Sequence, residues 1–180
     1  RSRGLGDVYK RQEGNPIPKF IDLVLQIKPT QVTLVPDGED VLTSNAGWDT
    51  VTHKDYLTEI IAEFKRNGIR TSLFVDPITS MIEAAAKTGT DRVELYTEAY
   101  AKGYALGNKE AIIPYVQAAQ VAHQVGLGLN AGHDLSLENL RYFKENIPTL
   151  LEVSIGHALI SEALYLGLQN VVSMYLYRVK

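Results

Sequence analysis

Two segments of this sequence place a histidine directly after a glycine at the predicted end of a β-strand. They are Asn130-Ala131-Gly132-His133 and Ser154-Ile155-Gly156-His157. A neutral imidazole can donate or accept a proton near pH 7, so His133 is a candidate for acid–base chemistry. The alternative is a histidine that only makes hydrogen bonds at the rim of the fold, and the local sequence leaves both open.

Gly156 and His157 also come directly before the last predicted helix. The free N–H groups at the start of a helix form an anion site, and a glycine lets a ligand approach the backbone. The pair therefore predicts a phosphate site. The spacing fits the alternative equally well, in which Gly156 allows a tight turn and His157 caps the helix.

A third candidate is an acidic residue inside an apolar strand. Glu94 lies between two apolar residues, and alternation along a strand places it on the face opposite to both. A carboxyl group in the interior is costly unless it is paired or used, so Glu94 is either catalytic or the partner of a barrel-lining Arg or Lys. Glu94, His133, Asp134 and His157 could also be combined as metal ligands, but no short spacing typical of such ligands supports a metal site.

The elements that must position these side chains alternate between strand and helix. A helix comes first, and five strand–helix units follow, with strands predicted to begin near residues 31, 71, 91, 127 and 151. Such alternation predicts a parallel sheet with right-handed crossovers. No glycine-rich dinucleotide fingerprint follows an early strand, whereas polar residues follow many different strands. The sequence therefore predicts an α/β barrel with its chemistry at the carboxyl ends of the strands.

The composition excludes several classes of protein. The 180 residues are 45% hydrophobic and 22% charged, as in a soluble globular protein of one domain. The net charge is −3, whereas a nucleic-acid-binding protein typically carries an excess of basic residues. The absence of cysteine excludes disulfides and thiolate metal sites, and it fits a reducing compartment. Because no apolar run approaches the ~20 residues of a membrane helix, we expect a cytoplasmic protein without a membrane partner.

The first twelve residues differ from the rest of the chain. They contain four basic side chains outside any helix or strand period, and no apolar segment of a signal peptide follows them. Residues 7–12 read like translated sequencing-adapter DNA. Residues 1–12 are therefore expected to be a non-native leader, with a genuine basic arm as the alternative, and residues 13–180 to be one domain.

Several segments occur in the order and with the spacing of a known enzyme family. They are Glu13-Gly14-Asn15-Pro16, Lys28-Pro29-Thr30-Gln31-Val32-Thr33-Leu34-Val35-Pro36, Leu42-Thr43-Ser44, Val93-Glu94-Leu95-Tyr96-Thr97, Asn130-Ala131-Gly132-His133-Asp134-Leu135 and Ile155-Gly156-His157-Ala158-Leu159-Ile160. From Glu13 to Lys180 the chain thus resembles the family of pyridoxine 5′-phosphate synthases, which close the pyridine ring of vitamin B6.

The resemblance implies a (β/α)8 TIM barrel and a defined reaction. The family joins 1-deoxy-D-xylulose 5-phosphate to 3-amino-2-oxopropyl phosphate, which gives pyridoxine 5′-phosphate, phosphate and water. By motif, the resemblance implies that Glu13 is a general base, that Glu94 stabilises polar or cationic intermediates, and that His133 donates a proton. It implies neither a metal nor an organic cofactor. The implied partners are small phosphorylated substrates, and the full-length protein is expected to form a homo-oligomer.

The resemblance also implies a substrate-binding set. Asp134, Gly156 and His157 would bind the phosphate of the amino ketone, and Thr43 would contact the deoxyxylulose phosphate. Some family members have glycine where this chain has Asp134. A contact through the backbone N–H would preserve the phosphate role, whereas a carboxylate facing the phosphate would repel it.

The family's first two strands have no counterpart in this sequence, and residues 7–12 take the place of the third. Residues 13–180 are therefore expected to form the C-terminal two-thirds of the barrel, strands 4–8 with flanking helices, with strands 1–3 largely missing. Without two substrate-binding loops and a catalytic histidine, such a fragment is expected to be inactive. The alternatives are another phosphate-binding barrel enzyme and a non-catalytic α/β ligand-binding module.

Overall fold

The computed structural model describes residues 10–38 and 46–180, so the predicted contact residue Thr43 lies outside the described residues. Strands and helices alternate along most of the chain. The strands are β1 (Arg11–Gly14), β2 (Gln31–Leu34), β3 (Arg70–Val75), β4 (Arg92–Leu95), β5 (Gly128–Ala131) and β6 (Leu150–Val153). The helices are α1 (Pro18–Ile27), α2 (Lys54–Arg66), α3 (Thr79–Ala86), α4 (Glu98–Ala105), α5 (Ile113–Gln124), α6 (Leu140–Asn146), α7 (His157–Leu166) and α8 (Leu168–Arg178). Among these helices, none is both long and apolar enough to cross a membrane.

The six strands form one parallel sheet in which each strand pairs with the next along the chain. The sheet is a half-barrel, which agrees with the predicted parallel α/β fold and is consistent with part of a TIM barrel. Glu13 on β1 is opposite Thr33 on β2, and Glu94 on β4 is opposite both Phe74 and Asn130. Through Thr33 and Ser72 the register places Glu13 level with Arg92 of β4, two residues before Glu94 on the same face of the sheet.

The sequence predicts five strands, and that number is wrong for the described residues. Arg11 and Gln12, which the prediction excludes from the fold with the rest of residues 1–12, form the first half of β1 and pair with Gln31 and Val32 of β2. A strand of four residues with mixed polarity carries little periodic signal of its own. Its pairing with a buried neighbour determines its structure.

The helices pack apolar faces against the sheet. In α2 the buried residues Leu57, Ile60, Ile61 and Phe64 recur at the spacing of one helical face. Apolar residues of the central strands, such as Leu73 and Val93, are fully buried beneath the helices. This core holds the carboxyl ends of the strands, where the candidate residues lie, in a fixed arrangement.

Two helical regions differ from what the sequence predicts. Gly103 and Gly107 predict a loop after β4, but Gly103 lies within α4. A Cβ at Gly103 would lie 2.5 Å from the Cβ of Ala111, so the glycine permits a close packing contact. The predicted final helix is two helices, separated by Gly167 at a φ of 80°. Glycine adopts this left-handed backbone without strain, so Gly167 ends α7 and lets α8 run in a different direction.

Candidate active site

One cavity of about 940 Å³ lies at the carboxyl ends of the strands. It brings together six of the seven predicted site residues, namely Glu13, Glu94, His133, Asp134, Gly156 and His157. The seventh, Thr43, lies outside the described residues. Four strand ends contribute these six residues, which is the distribution of a barrel active site.

Glu94 lies at the bottom of the cavity and is 2% exposed. Its Oε2 accepts a hydrogen bond from the hydroxyl of Thr33 at 3.3 Å, and the hydroxyl of Ser154 also bonds to this carboxyl group. The guanidinium of Arg11 lies 2.6 Å from Oε2. Burial raises the pKa of Glu94 above its ordinary value, although Arg11 and the hydroxyl groups favour the charged form. The carboxyl group is therefore held in a fixed direction and takes up a proton more readily than a free glutamate.

The pairing of Arg11 with Glu94 is the ion pair that the sequence analysis left open as an alternative for Glu94. Arg11 also approaches Glu152 of β6 at 3.5 Å. It belongs, however, to the segment that the sequence analysis expects to be a non-native leader. The hydroxyl contacts of Thr33 and Ser154 do not depend on that segment.

Glu13 lies on β1 at the open side of the cavity, and its side chain is exposed. The surrounding walls desolvate its carboxyl group, and the charge of Glu94 opposes a second negative charge nearby. Together these effects raise the pKa of Glu13 to about 7, although Arg11 acts in the opposite direction. A carboxyl group with this pKa can accept and release a proton near neutral pH, as a general base must.

Gly132 is buried and allows the ends of β5 and β6 to approach each other. A Cβ at Gly132 would lie 2.3 Å from the carbonyl oxygen of Ser154 and 3.0 Å from Oε1 of Glu94. A glycine at a strand end can also let a ligand approach the backbone. In the structure, the groups that need the space are the backbone of Ser154 and the carboxyl group of Glu94.

His133 lies at the rim of the same junction and is half-buried. Its Nδ1 is 2.8 Å from Oδ2 of Asp134, and its ring meets the ring of Tyr96 in an edge-to-face contact with centroids 5.1 Å apart. The hydroxyl of Thr97 donates a hydrogen bond to the carbonyl oxygen of His133. The ring is thus held from two sides while it lines the cavity.

The second Gly–His pair has a different environment. Gly156 is the N-cap residue of α7, it is exposed, and a Cβ at this position would meet nothing within 4 Å. His157 is the first residue of the helix. The alternative in which His157 caps the helix is therefore wrong, since the N-cap is Gly156 and no side chain accepts a capping hydrogen bond there. The first turn of α7 lines the cavity with backbone N–H groups that can bind an anion.

Sequence reasoning missed several residues that shape the site. Thr33 and Ser154 orient Glu94, and Phe74 and Tyr96 form an apolar wall together with Val35. One signal was available for Thr33, because polar Gln31 and Thr33 alternate with apolar residues along β2. Such alternation indicates polar side chains on the inner face of a sheet. Within residues 10–38 and 46–180, no group of three His, Asp or Glu side chains could hold a metal ion.

Solved structures of other proteins share this fold. A structure described as native KDPGal matches with a TM-score of 0.57 at 11% identity, over 93% of this chain and 69% of that chain. The Amycolatopsis orientalis BexX/CysO complex matches with a TM-score of 0.55 at 16% identity, over 88% of this chain and 59% of that chain. At these identities the likeness shows the fold alone.

Sequence comparisons identify the family. Pyridoxine 5′-phosphate synthase of Flavobacterium johnsoniae is 68% identical over 168 residues, which are 93% of this chain and 71% of that protein. The enzyme of the same name from Christiangramia forsetii is 66% identical over 164 residues, which are 91% of this chain and 69% of that protein. The family model described as "Pyridoxal phosphate biosynthesis protein PdxJ" matches residues 7–180. The chain therefore belongs to the PdxJ family of pyridoxal phosphate biosynthesis proteins.

Proposed function

We propose that this cavity is the active site of a pyridoxine 5′-phosphate synthase. The reaction joins 1-deoxy-D-xylulose 5-phosphate to 3-amino-2-oxopropyl phosphate and releases phosphate and water. The observation that carries the proposal is that three acid–base side chains from three different strand ends, Glu13, Glu94 and His133, line one cavity with a helix start at its edge. Imine formation, dehydration and ring closure each move protons at different positions, so the reaction needs several such groups in fixed places.

In this proposal, Glu13 is the general base. Its pKa of about 7 makes it a good proton acceptor at neutral pH, and its exposed position gives it access to a bound substrate. Desolvation, the main cause of the raised pKa, increases further when a substrate fills the cavity. The base therefore gains strength once the substrates have bound.

Glu94 would act as a fixed polar group behind the reacting atoms. Its raised pKa allows the neutral carboxyl form to donate a hydrogen bond, whereas its charged form stabilises a cationic intermediate. Thr33 and Ser154 keep its oxygens in place, so the group does not have to reorganise during the reaction. His133 would donate a proton from the end of the neighbouring strand β5.

The phosphate of the amino ketone would bind at the end of β6. Gly156 and His157 offer backbone N–H groups and open space, and Asp134 would contribute through its backbone N–H. The Asp134 carboxylate lies against His133, and this supports a backbone role instead of a repulsive contact with the phosphate. A contact from Thr43 to the deoxyxylulose phosphate completes the proposed set.

The experiment is a titration of the purified chain with each phosphorylated substrate, followed by NMR signals of the histidine rings. We expect saturable shifts at His133 and His157 and none at His123, which is exposed on α5 away from the cavity lining. The variant H123N serves as the matched control and should bind as the unchanged chain does. Absence of shifts at His133 and His157 at millimolar substrate would contradict the proposal.

We also propose that turnover needs two further strand–helix units, because six strands form a half-barrel and the family barrel has eight. In this view β2–β6 are strands 4–8 of the barrel. The chain alone should then bind the substrates without forming pyridoxine 5′-phosphate, which a chromatographic assay of the product can measure. Formation of product by the chain would overturn this second proposal and leave the site assignment intact.

We further propose that the protein is a cytoplasmic homo-oligomer. Large apolar side chains on the last two helices are exposed, among them Leu164, Tyr165 and Tyr177. This surface supports a homo-oligomer, because exposed apolar patches mark contact surfaces. Light scattering after gel filtration would measure the mass in solution, and a strict monomer would contradict the proposal. The absence of cysteine and the biosynthetic family support a cytoplasmic location.

A further inference from the structure

Asp134 has a backbone conformation that most residues avoid. Its φ is 65°, in the left-handed region. The N–H of Leu135 donates to the carbonyl oxygen of Gly132 at 3.0 Å, which places Asp134 at the third position of a tight turn. A positive φ at this position is typical of a type II turn, in which glycine is the favoured residue. The side chain of Asp134 is therefore not required by the turn itself.

The turn is held rigidly from both sides. The amide group of Asn139 donates to the carbonyl oxygen of Asp134 at 3.1 Å, and the hydroxyl of Thr97 donates to the carbonyl oxygen of His133. These two donors come from different elements, one after β4 and one before α6. The backbone at Asp134 is thus fixed, and the structure shows one direction for its carboxylate.

That direction is toward the imidazole ring of His133. Oδ2 of Asp134 is 2.8 Å from Nδ1, while the edge-to-face contact with Tyr96 holds the plane of the ring. A carboxylate can only accept a hydrogen bond, so Nδ1 must carry the proton in this contact. In a neutral imidazole, the hydrogen bond made by one nitrogen determines the protonation of the other.

We propose that Asp134 is a positioning residue that holds neutral His133 as the Nδ1–H tautomer and makes Nε2 the nitrogen that exchanges protons with the substrate. When the imidazolium form acts as the donor, the Nε2–H bond breaks and a substrate oxygen gains the proton. The imidazole is left neutral with its proton on Nδ1, and Asp134 stays ionised throughout. Solvent then returns a proton to Nε2. The role of the substrate rests on the proposed function, whereas the tautomer assignment does not.

The experiment reads the tautomer directly. The chain is labelled with 15N histidine, and the two ring nitrogens of His133 are assigned by comparison with H133N. Spectra are recorded at a pH at which the ring is neutral. We expect the unchanged chain to show a protonated Nδ1 and an unprotonated Nε2. In D134G the turn keeps its preferred residue but loses the carboxylate, and we expect the dominant proton to shift to Nε2.

Two further variants separate the carboxylate from other influences. D134N keeps a side chain of the same size that also adopts the left-handed region, and we expect the Nδ1–H fraction to fall. Y96F keeps the aromatic ring on His133 and loses only the hydroxyl, so we expect no change in the tautomer. A protonated Nε2 in the unchanged chain, or an unchanged tautomer in D134G and D134N, would overturn the proposal. Because no step of this measurement needs turnover, its failure is distinct from a failure of substrate binding.

Discussion

The two Gly–His pairs have the same two residues but different surroundings. At the end of β5, Gly132 is buried against Ser154 and Glu94, and the ring of His133 is fixed by Tyr96 and Asp134. At the end of β6, Gly156 is exposed with open space beside it, and His157 begins α7. The first pair suits chemistry by a side chain, and the second suits binding by the backbone. The difference arises from what each strand end packs against.

The largest expected effect comes from replacing each glycine by alanine, which adds one methyl group. In G132A the new Cβ would meet the backbone of Ser154, which cannot move without shifting β6. We expect a loss of about 3 kcal/mol in the free energy of unfolding. In G156A the Cβ meets nothing within 4 Å, and φ at this position is −102°, so we expect a change below about 0.5 kcal/mol. Urea unfolding measures both, and equal losses would contradict the contrast.

Removal of Arg11 tests how the ionisation of Glu94, which lies beside Gly132 of the first Gly–His pair, affects stability. Without the guanidinium, the pKa of Glu94 rises further above its unfolded value, so R11Q should be as stable as the unchanged chain at low pH. As the pH rises to neutral, Glu94 ionises in the unfolded state but resists ionisation in folded R11Q, so we expect a loss of about 2 kcal/mol in the free energy of unfolding relative to the unchanged chain. Unfolding curves between about pH 4 and about pH 8, which span the titration of a buried carboxyl group, would reveal this loss. The variant R66Q, which removes an exposed partner of Glu63, is the matched control.

A binding experiment separates the functions of the two histidines. If the end of β6 binds phosphate through its backbone, H157P should weaken the binding of inorganic phosphate by about 10-fold, because proline is tolerated at the first position of a helix but removes the N–H group. H133A should change the affinity by less than about 2-fold, because its ring faces Asp134 and Tyr96. An NMR titration with phosphate gives both values. A larger effect from H133A would reverse the assignment.

The smallest expected effect concerns Glu13 on β1. Its folded pKa of about 7 lies above the ordinary 4.5, so the folded state holds its proton to a higher pH than the unfolded state does. Stability therefore falls as the pH rises from about 4.5 to about 7. Because the side chain is exposed, we expect this contribution to stay below about 1 kcal/mol. In E13Q the fall in the unfolding midpoint over this range should be smaller, and an unchanged fall would contradict the assigned pKa.

Local sequence patterns were sufficient to predict the parallel α/β fold and to select several residues that line the cavity. The alternation of strands and helices repeats along the chain, so it is a strong signal. Glu94 is also conspicuous, because burying a carboxyl group inside the apolar strand β4 costs free energy unless the group is paired or used. The contact between Thr33 and Glu94 joins residues 61 positions apart. No local pattern encodes such a pair, and only the register of the sheet brings it together.

The missed elements have local signals that pointed elsewhere. The basic composition of the first twelve residues led to the exclusion of Arg11 and Gln12, which the neighbouring strand nevertheless pairs into β1. Gly103 indicated a loop, yet in α4 it provides a close contact with Ala111. The φ of Asp134 was also unpredictable, because an aspartate adopts the left-handed region only where the surrounding turn requires it.

The order of the sheet has a consequence for folding. In the described part of the chain, each strand pairs only with its neighbours in sequence, and β1 and β6 each have one such neighbour. Contacts of this kind resemble those of a linear array, in which opening begins at the ends and spreads inward. Amide hydrogen exchange should therefore be slowest in β3 and β4 and fastest in β1 and β6. Glu94 then lies on the part of the sheet that opens least often. Glu13 lies on β1 and the proposed phosphate site follows β6, so both belong to the strands that open first.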